Sequence, residues 1–315
     1  DPHLLAFSRD RSLKQPVVSR PPWPADATFT DHSYRGLAAD AASGEILLLD
    51  IDAKTSEQHW SLRDAEGKWA RLGRIRFPIR SCYPQVALRD GAAHVLVIGD
   101  IVEPVDEWQR FKREKTGSEW DYVFRRLFYA WSRDLRKGDF CEPVEVENLD
   151  ATAGHIRNLD LWIDQGGAAH LLYLKQPVQS ASMRDRFFPG VAMTSSLVHA
   201  VVKDGSVVRR DAILEGGEGR DGPVPGNARF HSPGEGRLLA IVFVTGAEGG
   251  KAVNENRVLE ILPGRGPSRT IPLREPFTTF FTACERGGSA PAPVLDLFGV
   301  GRDGESLRYA RVRVP

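Results

Sequence analysis

The chain has 315 residues, and its 42 basic and 42 acidic side chains cancel to a formal charge of zero. That balance excludes the electropositive face on which nucleic-acid binding depends, and no run of about 18 apolar residues is present to encode a helical membrane span. Three cysteines, Cys82, Cys141 and Cys284, supply neither a disulfide framework nor zinc-ligand spacing, so they read as free thiols and no metal or other cofactor is expected.

In chain order, one pattern is repeated. An alternating segment ends in a polar turn, a strongly apolar segment follows, and after a variable loop comes a third segment. The first unit runs from Tyr34-Arg35-Gly36-Leu37 through Ser43-Gly44 into Ile46-Leu47-Leu48-Leu49, with His59-Trp60-Ser61-Leu62 third and Trp69 opening a fourth strand. The second has Tyr83-Pro84-Gln85-Val86, the Asp90-Gly91 turn, then His94-Val95-Leu96-Val97 and Leu127-Phe128-Tyr129-Ala130. The third has Asn158-Leu159-Asp160-Leu161, then His170-Leu171-Leu172-Tyr173, then Leu197-Val198-His199-Ala200 with an Asp204-Gly205 turn. The fourth has Asn227-Ala228-Arg229-Phe230, then Leu239-Ala240-Ile241-Val242, then Arg257-Val258-Leu259. The fifth has Thr278-Thr279-Phe280-Phe281, Val294-Leu295-Asp296-Leu297 and Leu307-Arg308-Tyr309-Ala310.

Period-two alternation between Gly and Asp turns predicts antiparallel strands. Units of roughly 40–65 residues fit four-stranded blades, whose second strand is apolar because neighbouring blades cover both its faces. The expectation is therefore an all-β chain: a single five-bladed β-propeller with units at about 31–80, 81–150, 151–222, 223–275 and 276–315. The fifth unit lacks a fourth strand, and the segment 1–20, with Leu4-Leu5-Ala6-Phe7, is expected to complete it and close the ring. Two strand-like pieces in that segment leave a sixth blade as the alternative.

The repeat resembles the sialidase-like, or BNR-repeat, β-propeller superfamily, most closely from His155-Ile156-Arg157-Asn158 through Tyr173. The superfamily's Asp-box is absent in intact form from every unit, which counts against sialidase activity. The resemblance implies carbohydrate chemistry without selecting the reaction.

In a blade, the start of the first strand and the loop between strands two and three share one face. The long second-to-third loops, 101–125 and 175–196, with a shorter one at 246–256, gather there, whereas the opposite turns are short. Long loops on one face build binding sites. Within the first of them, Trp108 and Phe111 are spaced as on one side of a short helix over 106–116. The first-strand starts carry His32, Tyr34, Arg35, Arg157, Asn158, Asn227, Arg229 and Thr278 as candidate substrate contacts. Arginines from three units suit a carboxylated or sulfated sugar, because a guanidinium fork binds such groups through two parallel hydrogen bonds; arginines paired locally with aspartates are the alternative.

His155 and Tyr83 are the candidate proton-transfer groups, the Tyr on condition that a neighbouring positive charge lowers its pKa. With an arginine on a uronate carboxylate they suit β-elimination. Hydrolysis would need two carboxylates; Asp31, Glu119, Asp121, Asp160 and Glu218 are available, but no spacing singles out a pair. His94, His170 and His199 read as ordinary strand residues. The expected function is that of a carbohydrate-active enzyme, lyase or glycoside hydrolase, on an anionic oligo- or polysaccharide. A non-catalytic propeller that binds glycan or protein is the alternative. The expected state is a monomer. The sequence opens on Asp1-Pro2 without an initiator Met and reads as a processed or trimmed chain, so localisation is open, with secretion or a periplasmic place expected.

Overall fold

The computed structural model describes residues 2–6, 16–29, 34–118, 121–287, 290–301 and 303–314. It is an all-β propeller of five blades. Blade one is built from Gly36–Ala39, Ile46–Ile51, Gln58–Arg63 and Trp69–Ile75, paired antiparallel in sequence order. Blade two is Ser81–Arg89, Ala92–Gly99, Arg126–Ser132 and Val144–Asn148. Blade three is His155–Ile163, Ala169–Gln176, Thr194–Lys203 and Ser206–Gly217. Blade four is Val224–His231, Leu238–Glu248, Lys251–Leu262 and the short Arg269–Thr270. Blade five has three strands, Thr279–Thr282, Val294–Val300 and Leu307–Arg313. No helix is long and apolar enough to cross a membrane.

The apolar second strands do what their composition demands. Val95 and Val97 point toward blade one, where they meet Leu47, Leu49 and Trp60. Their neighbours Leu96 and Ile98 point the other way, to Leu161, Leu171 and Tyr173 of blade three. The same alternation places Leu172 and Leu174 against Phe230, Ala240 and Val242, and Leu239 and Ile241 against Phe280, Leu295 and Leu297. A side-chain period of two thus stitches blades two, three and four to the blade on either side. Burial of each such side chain stabilises the fold by about 1.5–3 kcal/mol.

The expected closure of the ring is corrected by the structure. Among the described residues, Leu4–Ala6 pairs with Val17–Ser19 and not with blade five; residues 7–15 of the expected segment lie outside them. The two short segments satisfy each other's backbone, and side chains tie the following segment to blade one. Trp69 Nε1 donates to Ser19 Oγ at 2.9 Å, the Thr28 amide donates to Asp52 Oδ2 at 2.8 Å, and the Phe29 ring meets His59 edge-on at 5.9 Å. In blade five, Phe281, Phe298 and Tyr309 stand opposite one another in the strand register, each at least half exposed among the described residues.

A second correction concerns 246–256. It is the end of a long hairpin, Leu238–Glu248 with Lys251–Leu262, and not a loop. The helix expected in the first long loop is present as α1, Asp106–Thr116, and the second long loop carries α2, Ala181–Phe187. Trp108 and Phe111 of α1 pack with Phe187, Phe188 and Met183 of the second loop into a small separate core at the rim.

Between the first and second strands of blade five, the chain crosses the opposite end of the axis. The Ile163 amide donates to the Arg286 carbonyl at 2.9 Å, the Ala292 amide to the Ser232 carbonyl at 3.0 Å, and Arg286 Nε to Asp160 Oδ1 at 2.8 Å. Arg286 also reaches Gln85 Oε1 at 2.5 Å. A Cβ on Gly287 would lie 2.1 Å from the Leu88 carbonyl oxygen, so only glycine fits there. This crossing segment touches the far ends of the inner strands of blades two, three and four.

Candidate active site

The open end of the axis is framed by the first-strand starts and the two long loops. Between blades two and three lies a cavity of about 410 Å³ lined by Tyr83, Gln85, Ile98, Phe124, His155, Ile156, Arg157 and Asn158. Of the candidate residues, Tyr83, His155, Arg157 and Asn158 come together here. Phe124 was not singled out, although it is central: its ring stands 6.0 Å from Tyr83 and 5.8 Å, edge-on, from His155. It reaches this place because the Ile156 amide donates to the Phe124 carbonyl at 2.7 Å, carrying the end of the long loop onto blade three. Its neighbour Arg125 turns inward, hydrogen bonds the buried Glu103 carboxylate at 2.9 Å and stacks on Trp108 at 5.1 Å. Lys112 of α1 meets the same carboxylate at 2.7 Å, so an ion network anchors the rim helix behind the aromatic wall.

Tyr83 sits in an unusual backbone state. The ladder between the first two strands of blade two skips between Cys82 and Gln85, and Tyr83 adopts φ 54°. A non-glycine residue in the left-handed region is costly and is a pointer to a functional position. Asn158 Nδ2 donates to the Tyr83 carbonyl at 2.6 Å and braces the bulge from blade three. The result pushes the phenol out to 43% exposure.

The electrostatics differ from expectation at Tyr83. No cation lowers its pKa; burial first, then the Tyr34 hydroxyl beside it and Asp100, push the phenol up to about 12. It is thus protonated at neutral pH, suited to donate a proton and not to take one. His155 is shifted the other way: burial, then the Arg157 and Arg125 guanidinium groups, hold the imidazole below its ordinary value of 6.5. A neutral imidazole at pH 7 can accept a proton.

The remaining predicted contacts divide. Tyr34 is buried against Tyr83, ring centroids 5.2 Å apart. Arg35 is exposed and forms an ion pair at 3.3 Å with Asp50, whose carboxyl burial raises to about 6. Arg229 does not line the cleft: its Nη1 donates to the Leu159 carbonyl, its guanidinium lies 4.9 Å over the Phe281 ring, and burial pushes its pKa down. Asn227 is buried and donates to the Phe280 carbonyl at 3.0 Å, clamping blade four to blade five. Thr278 turns to blade five, with Oγ1 3.5 Å from the Gly301 carbonyl. Arg229 and Asn227 face neighbouring blades because the same alternation that builds the core also operates there, whereas Thr278 bonds within its own blade. His32, Asp31 and Glu119 lie outside the described residues.

The candidate carboxylates are occupied elsewhere. Asp160 is buried and accepts from the Phe230 amide at 2.9 Å and from Arg286. Asp121 pairs with Lys112, and Glu218 with Arg184 at 2.9 Å. Among the described residues, no group of three or more His, Cys, Asp or Glu side chains is placed to hold a metal ion.

No family model and no curated protein matches the chain. Among solved structures it is similar to a mutant apocarotenoid oxygenase of Synechocystis, at TM-score 0.52 and 11% identity over 91% of this chain; it spans 59% of the oxygenase's length. It is also similar to a polysaccharide lyase, at TM-score 0.44 and 11% identity, covering 88% of this chain and 57% of the lyase. An endo-arabinase from Bacteroides thetaiotaomicron follows at TM-score 0.42 and 9% identity, covering 90% of this chain and 93% of the arabinase. At such identities the likeness is one of fold, a β-propeller that hosts different chemistries.

Proposed function

We propose that the protein is a carbohydrate-active enzyme that cleaves an anionic glycan by β-elimination in the cleft between blades two and three. The observation that carries this reading is a lining that combines a base held neutral, a protonated phenol and the Arg157 guanidinium. Arg157 is exposed and makes no ion pair or hydrogen bond among the described residues. A guanidinium fork on the uronate carboxylate withdraws charge and acidifies the adjacent C5–H. His155 takes that proton, and the released electron pair forms the C4–C5 double bond as the C4–O4 bond breaks. The leaving oxygen takes the Tyr83 phenol proton. Phe124 and the edge of the Tyr83 ring offer an apolar surface to the sugar's C–H face.

A hydrolase would need two carboxylates facing each other across the bond, and among the described residues no Asp or Glu lines this cleft. The second reading, a glycan-binding propeller without catalysis, is favoured by the aromatic wall Tyr34–Tyr83–Phe124–His155. Incubation with a panel of uronate and sulfated polysaccharides separates the three. Absorbance of an unsaturated uronate near the ultraviolet edge is expected. New reducing ends without that absorbance would make it a hydrolase, and binding without either product would make it a binding module.

A further inference from the structure

Tyr83 is held from two sides, and only one of them is the cleft. On the other, Tyr34 meets it edge-on at 77°, with its hydroxyl beside the Tyr83 phenol, whose pKa it raises. Tyr34 is 8% exposed and packs with Ile51 and Cys82, so phenylalanine would fill the same space. Its hydroxyl nevertheless has a second neighbour in Arg80, which interacts with it electrostatically and lies across its ring at 5.1 Å. Arg80 is itself immobilised. Its Nη1 donates to Asp100 Oδ2 at 2.6 Å and to the Asp100 carbonyl at 2.9 Å, and the Asp100 amide returns a hydrogen bond to the Arg80 carbonyl at 2.9 Å. Tyr122 covers the guanidinium at 5.6 Å. The chain of contacts runs from a buried carboxylate, through a stacked guanidinium and a buried phenol, to the strained residue at the cleft. Cys82, Asp50 and Arg35 are the other ionisable groups around it.

We infer that Tyr34, clamped by Arg80 and Asp100, is a positioning residue that fixes the Tyr83 phenol at the mouth of the cleft. The inference rests on Tyr83 being the proton donor proposed above. A residue in the left-handed region directly before a proline has few ways to aim its side chain, and an oxygen already fixed by Arg80 supplies the missing direction.

The test uses the full chain with tyrosine labelled at Cζ, the Tyr83 resonance being assigned by its loss in Tyr83→Phe. In Tyr34→Phe the Tyr83 titration is expected to fall by about one pH unit, because the hydroxyl that raises it is gone. The value of kcat should drop about 10–100-fold with KM little changed, as for a displaced reacting group. Arg80→Gln should shift the same resonance in the same direction and serves if Tyr34→Phe fails to fold. An unmoved Tyr83 titration in both variants overturns the positioning role. A shifted titration in a protein that forms no unsaturated product leaves the Tyr34–Tyr83 coupling standing and overturns the lyase reading instead.

Discussion

Replacing Arg157 by alanine tests the anionic-substrate reading most directly, because its guanidinium makes no internal bond among the described residues that the change could orphan. The loss should fall on the ligand alone. A hydrogen bond to a charged group contributes about 1.5–3 kcal/mol, and exposure at the cleft mouth places Arg157 at the lower end. About 1.4 kcal/mol is tenfold in Kd, so a uronate oligosaccharide should bind about tenfold more weakly. The same oligosaccharide with its carboxyl reduced to an alcohol should lose less than about twofold. Arg157→Lys keeps the charge and loses the fork, and should fall between the two. Added salt should weaken wild-type binding of the charged ligand and barely affect the alanine variant. Titration calorimetry on both ligands, with melting curves as a control, reads all of this. Equal losses for charged and neutral ligands would refute the reasoning.

Because burial and two guanidinium groups hold His155 below 6.5, kcat/KM should rise with pH through an apparent pKa under that value and be flat at neutrality; an acid limb above 6.5 would assign the base elsewhere. His155→Ala should lower turnover by about 10²–10⁴-fold with ligand affinity nearly intact, the usual contribution of a proton-transfer group. Asp50, raised from 3.8 to about 6, favours the folded state when protonated; that stability is complete below 3.8 and lost as pH rises through about 6. Asp50→Asn should therefore stabilise the protein at pH 7 by on the order of 1–2 kcal/mol, with the gain vanishing near pH 4 in denaturant titrations. Arg286→Ala leaves the buried Asp160 carboxylate with the Phe230 amide alone and should destabilise by about 2–3 kcal/mol, a melting point lower by several degrees; an unchanged melting point would mean the crossing segment is not structural.

The blades were legible because propeller physics writes itself into composition. A strand covered on both faces must be apolar throughout, as Leu47–Leu49 and Leu171–Tyr173 are, and its turns must carry Gly or Asp. The spacing of Trp108 and Phe111, three residues and so nearly one helical turn, gave α1 for the same reason. What could not be read was anything decided between distant segments. The residues 4–6 look like an unpaired strand, and nothing local says that 17–19 is their partner. Arg229, Asn227 and Thr278 occupy positions like those of Arg157 and Asn158, yet the first two turn to neighbouring blades and the third bonds within its own, a matter of strand rotation. The cleft residues on inner strands were recoverable from register alone. Phe124, at the end of a long loop, was not, because its place depends on a backbone hydrogen bond to Ile156. The pKa of Tyr83 depended on which residue stands behind it, a phenol and not the expected cation.

The segment that crosses the far end of the axis holds the last blade by a route that leaves the circumference out. Arg286 and Gly287 reach over the inner strands of blades two and three, and Ala292 over that of blade four. Blade five is thereby latched to blades two, three and four at the hub. The latch draws on three inner strands at once, so it holds blade five only where blades two to four are formed.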